Sequence, residues 1–349
     1  MYIGVDTHKK QHVLVALDAQ GRHLGTQRSA NSPEGWASGV QWASRWEERV
    51  WGIENSGSLG KGFAQFLLAQ GEGVVHEVSP HRTAQYRRRG RTQDKTDETD
   101  ALAIARLLVA EGETLPEVRR DDISTELRLL SDHRDNLLDE RTRLINQLHG
   151  QMLQVDPLYK EKSGRLTDPR GVAYCRDLVV PDADRLLRTR LLIVHQRAEQ
   201  IVRLDTEIAT ATAEIAARVQ ESQTPLLAVR GVGTIVAARI IGEIGVTPRL
   251  PSAAALAALA GISPVAVSSG GRGGYRLNRG GNRQLNRAIH VIALTQRRCD
   301  PRGRAYYMKK RAEGKTPRAA LRCLKRRLVD VLFRTFRTRD EIPDLCAAA

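Results

Sequence analysis

Short apolar runs bounded by turn residues fill the first third of the chain, and long apolar stripes at helical spacing replace them afterwards. The run Tyr2-Ile3-Gly4-Val5 is closed by Asp6, and residues 13–17 and 23–26 follow as its hairpin partners across Ala19-Gln20-Gly21. Asp6 is thereby placed on a central strand. A second buried run, Val50-Trp51-Gly52-Ile53, ends on Glu54, and Asn55-Ser56-Gly57 turns the chain into the helical pattern of Phe63, Phe66 and Leu67. Val74-Val75-His76-Glu77-Val78 is a further buried strand, and Leu102, Ile104, Ala105 and Leu108 mark a helix headed by Lys95-Thr96-Asp97-Glu98-Thr99-Asp100-Ala101. A meander of three strands followed by alternating strands and helices predicts an α/β domain.

The texture changes at Asp121. Leu127, Leu130, Leu137, Leu144 and Leu148 mark one long amphipathic helix, and Leu187, Val194, Ile201, Ile208 and Ile215 recur every seven residues in another. Residues 156–181 between them are rich in Pro, Gly and charge and read as a connector or small cap. A helical hairpin or an intermolecular coiled coil uses such stripes; an internal helical bundle is the plainer alternative. At Leu226-Leu227-Ala228-Val229-Arg230-Gly231-Val232-Gly233-Thr234 the pattern predicts a helix, a glycine hairpin and a second helix through residues 236–244. Helix-hairpin-helix elements use glycines such as Gly231 and Gly233 to open backbone N–H groups to phosphate. A Gly-flanked serine loop, Val267-Ser268-Ser269-Gly270-Gly271, then leads to Arg272, Arg276, Arg279, Arg283 and Arg287.

Charge adds a partner to this outline. The chain has 55 Lys and Arg against 40 Asp and Glu, a net of +15. Residues 271–349 hold 21 Lys and Arg against 6 Asp and Glu, so this last stretch alone accounts for the excess and the first 270 residues are balanced. Such a segment suits a polyanion, because neutralising phosphates releases counterions. Arg87-Arg88-Arg89-Gly90-Arg91 places a second basic run just before Asp97. No stretch approaches the roughly 20 apolar residues of a membrane span, and no secretory signal is read at the start. Nucleic acid, rather than a membrane, is the expected partner, and the cytoplasm the expected compartment. Cys175, Cys299, Cys323 and Cys346 lack metal-ligand spacing and fit reduced thiols. Aromatic content of 4% leaves little for base stacking.

The chemistry rests on acids. Asp6 and Glu54 stand at strand ends, and Asp97 and Asp100, three residues apart at a helix head, share one face. Hard divalent cations take oxygen ligands, and two such ions clamp the attacking and leaving oxygens of a phosphodiester. Each acid alone also fits a turn or a helix-dipole role; together, in order, they read as a metal site. Asp94 and Glu98 stand close enough to leave the third ligand open. A serine beside guanidinium groups is equipped to attack phosphorus, because arginine stabilises the developing charge.

Taken together, the chain resembles the DEDD transposases of the insertion-sequence-110 family over almost its whole length. The carriers are Ile3-Gly4-Val5-Asp6-Thr7-His8-Lys9, Ile53-Glu54-Asn55-Ser56-Gly57, Lys95-Thr96-Asp97-Glu98-Thr99-Asp100-Ala101, Gly231-Val232-Gly233, Ala260-Gly261-Ile262-Ser263-Pro264, and Ser269-Gly270 followed by an Arg-rich helix. The resemblance implies an N-terminal RuvC-like (ribonuclease H-like) domain over residues 1–115, a coiled-coil linker over 116–222 and a mostly helical transposase domain over 223–349. It makes Asp6, Glu54, Asp97 and Asp100 a Mg²⁺-binding set, with Mn²⁺ as an alternative. Ser269 becomes the nucleophile that forms a 5′-phosphoserine link to DNA, with Ser268 beside it as the competing choice. A structured bridge RNA is implied as guide to double-stranded target and donor DNA, and a homo-oligomer, dimer or tetramer, as the working form at the nucleoid. The competing readings are a RuvC-like nuclease acting by hydrolysis and a non-catalytic nucleic-acid-binding protein.

Overall fold

The computed structural model describes residues 1–88, 96–245, 250–269, 272–276, 278 and 280–340, with backbone alone for 266–269, 272–276 and 338–340. The chain divides into two units, Met1–Asp121 and Asp122–Ala349.

In the first unit, β1 (Tyr2–Thr7), β2 (Gln11–Leu17) and β3 (His23–Ala30) form the expected meander. Helix α1 (Pro33–Ala43) begins where the Ser32 side chain accepts from the Gly35 N–H and Pro33 fills the first turn. Then follow β4 (Val50–Glu54), α2 (Lys61–Ala69), β5 (Val74–Val78), α3 (Pro80–Arg88) and α4 (Asp97–Glu111). The sheet order is β3-β2-β1-β4-β5, so β1 is central, antiparallel to β2 and parallel to β4. Ile3, Val5, Trp51 and Ile53 pack on Phe63 and Leu67 of α2. Ala101 and Ala105 of α4 pack on Val13, Val15 and Leu17.

Two glycines let α4 lie close to the sheet. A Cβ on Gly4 would stand 2.3 Å from the Ala101 carbonyl oxygen and 2.4 Å from the Ala105 nitrogen, and one on Gly52 would stand 2.8 Å from the Leu108 side chain. Helix α3 has no counterpart in the sequence pattern. It buries only Thr83 and Tyr86, too few apolar positions to register a stripe.

The second unit opens with α5 (Ile123–Val155), capped by Asp122, whose carboxylate accepts from the Ser124 N–H at 2.9 Å. After α6 (Tyr159–Ser163) and α7 (Pro169–Asp177), α8 (Arg185–Glu221) returns along α5 as an intramolecular helical hairpin. The segment between the long helices, read as a connector or small cap, is a packed element: Tyr159, Leu166, Val172 and Cys175 close over Leu148, Met152, Val194 and Ile201. A second core gathers Leu127 of α5 and Ile215 and Val219 of α8 with α9 (Thr234–Ile244), α10 (Ala253–Leu259), α11 (Arg283–Cys299), α12 (Pro301–Ala312) and α13 (Pro317–Asp340). Arg239, 8% exposed at its side chain, joins α9 to α5 by pairing with Asp132 and Asp135 and also reaches Glu243. Among the described residues no helix is long and apolar enough to cross a membrane.

Three local expectations are corrected. The helix expected at residues 226–229 is a single 3₁₀ turn, Pro225–Ala228. Only two residues separate it from Gly231, whose φ of +91° ends any helical path. Ser269 does not sit on an open loop but ends β6 (Val265–Ser269), which pairs antiparallel with β7 (Arg272–Arg276) in the register Ser269↔Arg272. Arg272 and Arg276 therefore lie on a strand rather than on the Arg-rich helix, which begins at Arg283. Their spacing of four matches a helical turn, but the β-branched alternation of Val265 and Val267 favours an extended hairpin.

Candidate functional site

Asp6 sits on the central strand one residue before β1 ends and is only 4% exposed. Its carboxylate is held by His8, whose Nε2 lies 3.0 Å from Asp6 Oδ2 and 3.1 Å from Asp97 Oδ1. The ring therefore bridges an acid of β1 to an acid at the head of α4. Potential ligand atoms of Asp6, His8 and Asp97 lie within 4.8 Å of one another. Burial pushes the Asp6 carboxyl up to about 6; His8 opposes the shift, and the charges of Glu54 and Asp100 add to it. An acid so placed is costly to ionise without a nearby cation.

Each remaining acid is positioned by local chemistry. Glu54 ends β4 beside β1, and its carbonyl oxygen accepts from Thr7 Oγ1 at 2.9 Å. Gly60 leaves room there, since a Cβ would stand 2.9 Å from that same carbonyl oxygen and 3.0 Å from Thr7. Helix α4 starts with a capping box between Thr96 and Thr99, and its first turn carries Asp97, Glu98 and Asp100. Asp97 turns toward His8, while Asp100 pairs with Arg87 from the last turn of α3. Glu98, the alternative ligand, pairs with Arg28 of β3 at 3.0 Å. The other alternative, Asp94, lies outside the described residues, with Arg89 and Arg91.

The four acids named from the sequence thus occupy one end of the sheet, and their oxygens are the donor type a hard divalent cation takes. His8 is the residue that sequence reasoning missed. It lay inside the quoted Asp6 motif but carried no role, because a polar residue just past a strand looks like turn chemistry.

In the second unit, Gly233 caps the start of α9 with Gly231 two residues before it. Arg283 and Arg287 are exposed on α11, and Arg287 approaches Asp135 at 4.0 Å. Arg88 of the first unit is exposed as well, whereas Arg87 is engaged with Asp100. Arg279 and Gly270 lie outside the described residues.

A buried acid on the central strand of an α/β sheet, with further acids near it and a basic helical unit in the same chain, is the arrangement expected of enzymes that process nucleic-acid phosphodiesters with a divalent metal. Residues 3–157 match the model of the DEDD transposases of IS110 type, and residues 223–308 match that of the transposase IS116/IS110/IS902 family. The 43.6 kDa protein of insertion element IS110 from Streptomyces coelicolor is 31% identical over 70% of this chain and 71% of its own length. The 44.8 kDa protein of insertion element IS116 from Streptomyces clavuligerus is 29% identical over 97% of this chain and 95% of its own. The mini-circle putative transposase for IS117, also from Streptomyces coelicolor, is 22% identical over 100% of this chain and 97% of its own. The chain belongs to the IS110 family of transposases, and its activity is that of a DNA transposase.

Proposed function

We propose that the protein cuts and rejoins double-stranded DNA through Ser269, with Asp6, Glu54, Asp97 and Asp100 as a Mg²⁺ set, and that a structured bridge RNA selects the DNA. The observation that supports the metal set best is the convergence of Asp6 and Asp97 on His8, with the charges of Glu54 and Asp100 acting on Asp6. The bound ion, Mg²⁺ or Mn²⁺, supplies charge neutralisation at the phosphate. The protein's own acids hold that charge in place, and Arg87 restrains Asp100.

In the cutting step Ser269 Oγ attacks phosphorus. The Oγ–P bond forms as the P–O3′ bond breaks, and the serine proton ends on the departing 3′ oxygen. A 5′-phosphoserine and a free 3′ hydroxyl result. In rejoining, a 3′ hydroxyl attacks the same phosphorus and Ser269 recovers the proton, so no ATP is needed. The position of Ser269 at a hairpin end, with Arg272 opposite in the ladder, supports this role, since guanidinium groups stabilise charge on phosphorus. Ser268 is its neighbour and competitor.

Arg87, Arg88, Arg89, Arg91, Arg272, Arg276, Arg279, Arg283 and Arg287 serve phosphate neutralisation, and Gly231 and Gly233 offer backbone N–H groups at the start of α9. The RuvC-like (ribonuclease H-like) reading of residues 1–115 draws support from the sheet order and the acids on its central strands. Residues 116–222 then act as the linker and 223–349 as the transposase domain of a homo-oligomer, dimer or tetramer, working at the nucleoid in the cytoplasm. The test incubates the purified protein with Mg²⁺, labelled element-end DNA and RNA transcribed from the flanking non-coding region. Label should stay on the protein in a denaturing gel and be lost in Ser269→Ala and Asp6→Asn. Cut DNA free of protein would instead establish a hydrolytic nuclease.

A further inference from the structure

A cleft of about 860 Å³ lies in the second unit between α12 and α13, beside the Ile262-Ser263-Pro264 segment that leads into β6. Its walls carry Lys310, Lys315, Arg322, Arg326 and Arg327, and Asp330 is the one acid among its lining residues. Arg326 is bonded to Asp330, and Arg327 stands 3.9 Å from the same carboxylate. Lys310 pairs with Glu313 at 2.8 Å and lies over the Tyr306 ring. Among the described residues no acid pairs with the side chains of Lys315 or Arg322, both of which are exposed. Burial depresses Lys325, one turn along α13, and the Arg322 charge adds to that shift. An excess of positive charge this concentrated is unfavourable to folding and is offset when a polyanion occupies the cleft.

We propose that this cleft is a DNA-backbone site that holds the strand leading into the phosphate cut at the β6–β7 hairpin. The choice of DNA rests on the serine reading above and on chain continuity. Residues 262–264, which line the cleft, run directly into β6, whose last residue is Ser269. A strand seated on Lys315 and Arg322 would therefore lie against the segment that leads into the hairpin. Neither side chain has an ion pair to break before it meets a phosphate, since Glu313, whose carboxylate feels the Lys315 charge, is bonded to Lys310.

The experiment measures binding of labelled element-end duplex to the full-length protein from 50 to 200 mM salt, for wild type and for Lys315→Ala/Arg322→Ala. Each lost phosphate contact lowers the salt slope of log K by about 0.9. The double variant should lose roughly 1.8 in slope with an unchanged melting temperature, and Arg322→Lys should keep the wild-type slope. An unchanged slope in the double variant overturns the site. A loss seen only with the flanking RNA transcript overturns its assignment to DNA. Should the double variant fail to fold, Lys315→Gln alone, on the turn between α12 and α13, must still lower the slope by about 0.9. The difference in slope between wild type and variant reads the cleft, and the protein-linked band in Ser269→Ala reads the serine, so either idea fails without the other.

Discussion

Replacing Gly4 by alanine adds one methyl group at the place where β1 and α4 meet backbone to backbone. That carbon would stand 2.3 Å from the Ala101 carbonyl oxygen and 2.4 Å from the Ala105 nitrogen, about 1 Å inside ordinary contact. Both neighbours are main-chain atoms, so no side chain can rotate away and α4 must lift from the sheet. Overpacking costs about 1–3 kcal/mol, and an obstruction by backbone belongs at the upper end. For a unit of this size that lowers the melting temperature by roughly 10 °C. The displacement also separates Asp6 on β1 from Asp97 and Asp100 on α4, and an error of about 1 Å in catalytic geometry costs on the order of 100-fold in rate. Thermal melting and the initial rate of cleavage of labelled element-end DNA, assayed with a divalent cation, read the two effects. Gly112→Ala is the control, since nothing lies within 4 Å of a Cβ there and its φ of −51° suits any residue. A Gly4→Ala protein that melts within about 2 °C of wild type and cuts at the wild-type rate would refute the argument.

Other perturbations give distinct signatures. Arg87→Gln removes the counter-ion of Asp100, so calorimetric titration should show Mg²⁺ binding about 10-fold tighter, the equivalent of roughly 1.4 kcal/mol; weaker binding would contradict the pairing. Arg239→Met strands Asp132, Asp135 and Glu243 between α5 and α9 and should cost about 2–4 kcal/mol in urea unfolding. Burial lowers Lys325 to about 8, so the unfolded chain binds the extra proton between that pH and the ordinary lysine range. Stability should therefore rise with pH across that window, while Lys325→Met should remove that rise and gain on the order of 2 kcal/mol at pH 7, measured by chemical denaturation. Cys175 is fully buried with its thiol pushed up to about 11, so iodoacetamide at pH 8 should label exposed Cys299 and reach Cys175 only after unfolding.

What the sequence made legible follows from how many side chains voted for each element. β1, β4 and β5 are apolar runs bounded by turns, and Asp6 and Glu54 fall at the ends of the first two, as read. The seven-residue stripes of α5 and α8 were equally plain, although they could not say whether the partner helix came from the same chain; it does. Helix α3 stayed hidden because its fold is set by two buried residues and by Arg87, whose partner Asp100 is 13 residues away. Arg272 and Arg276 were misplaced because a spacing of four is shared by a helical turn and by one face of a strand. Asp97 and Asp100 share a helix face, yet their partners differ, one bridged by His8 and the other held by Arg87. Which partner an acid takes depends on elements packed against it, and no local pattern contains that.

The α5–α8 hairpin has a mechanical consequence. At 33 residues α5 is roughly 50 Å long. Its root is packed into the core around α9, and its far end carries a core of its own under α6 and α7. A rod fixed by dense packing at one end and stiffened at the other behaves as a lever. A tilt of about 10° at the root sweeps the cap through about 9 Å, more than the rise of two base pairs. A small adjustment near α9 would thereby be geared into a movement on the scale of the DNA itself.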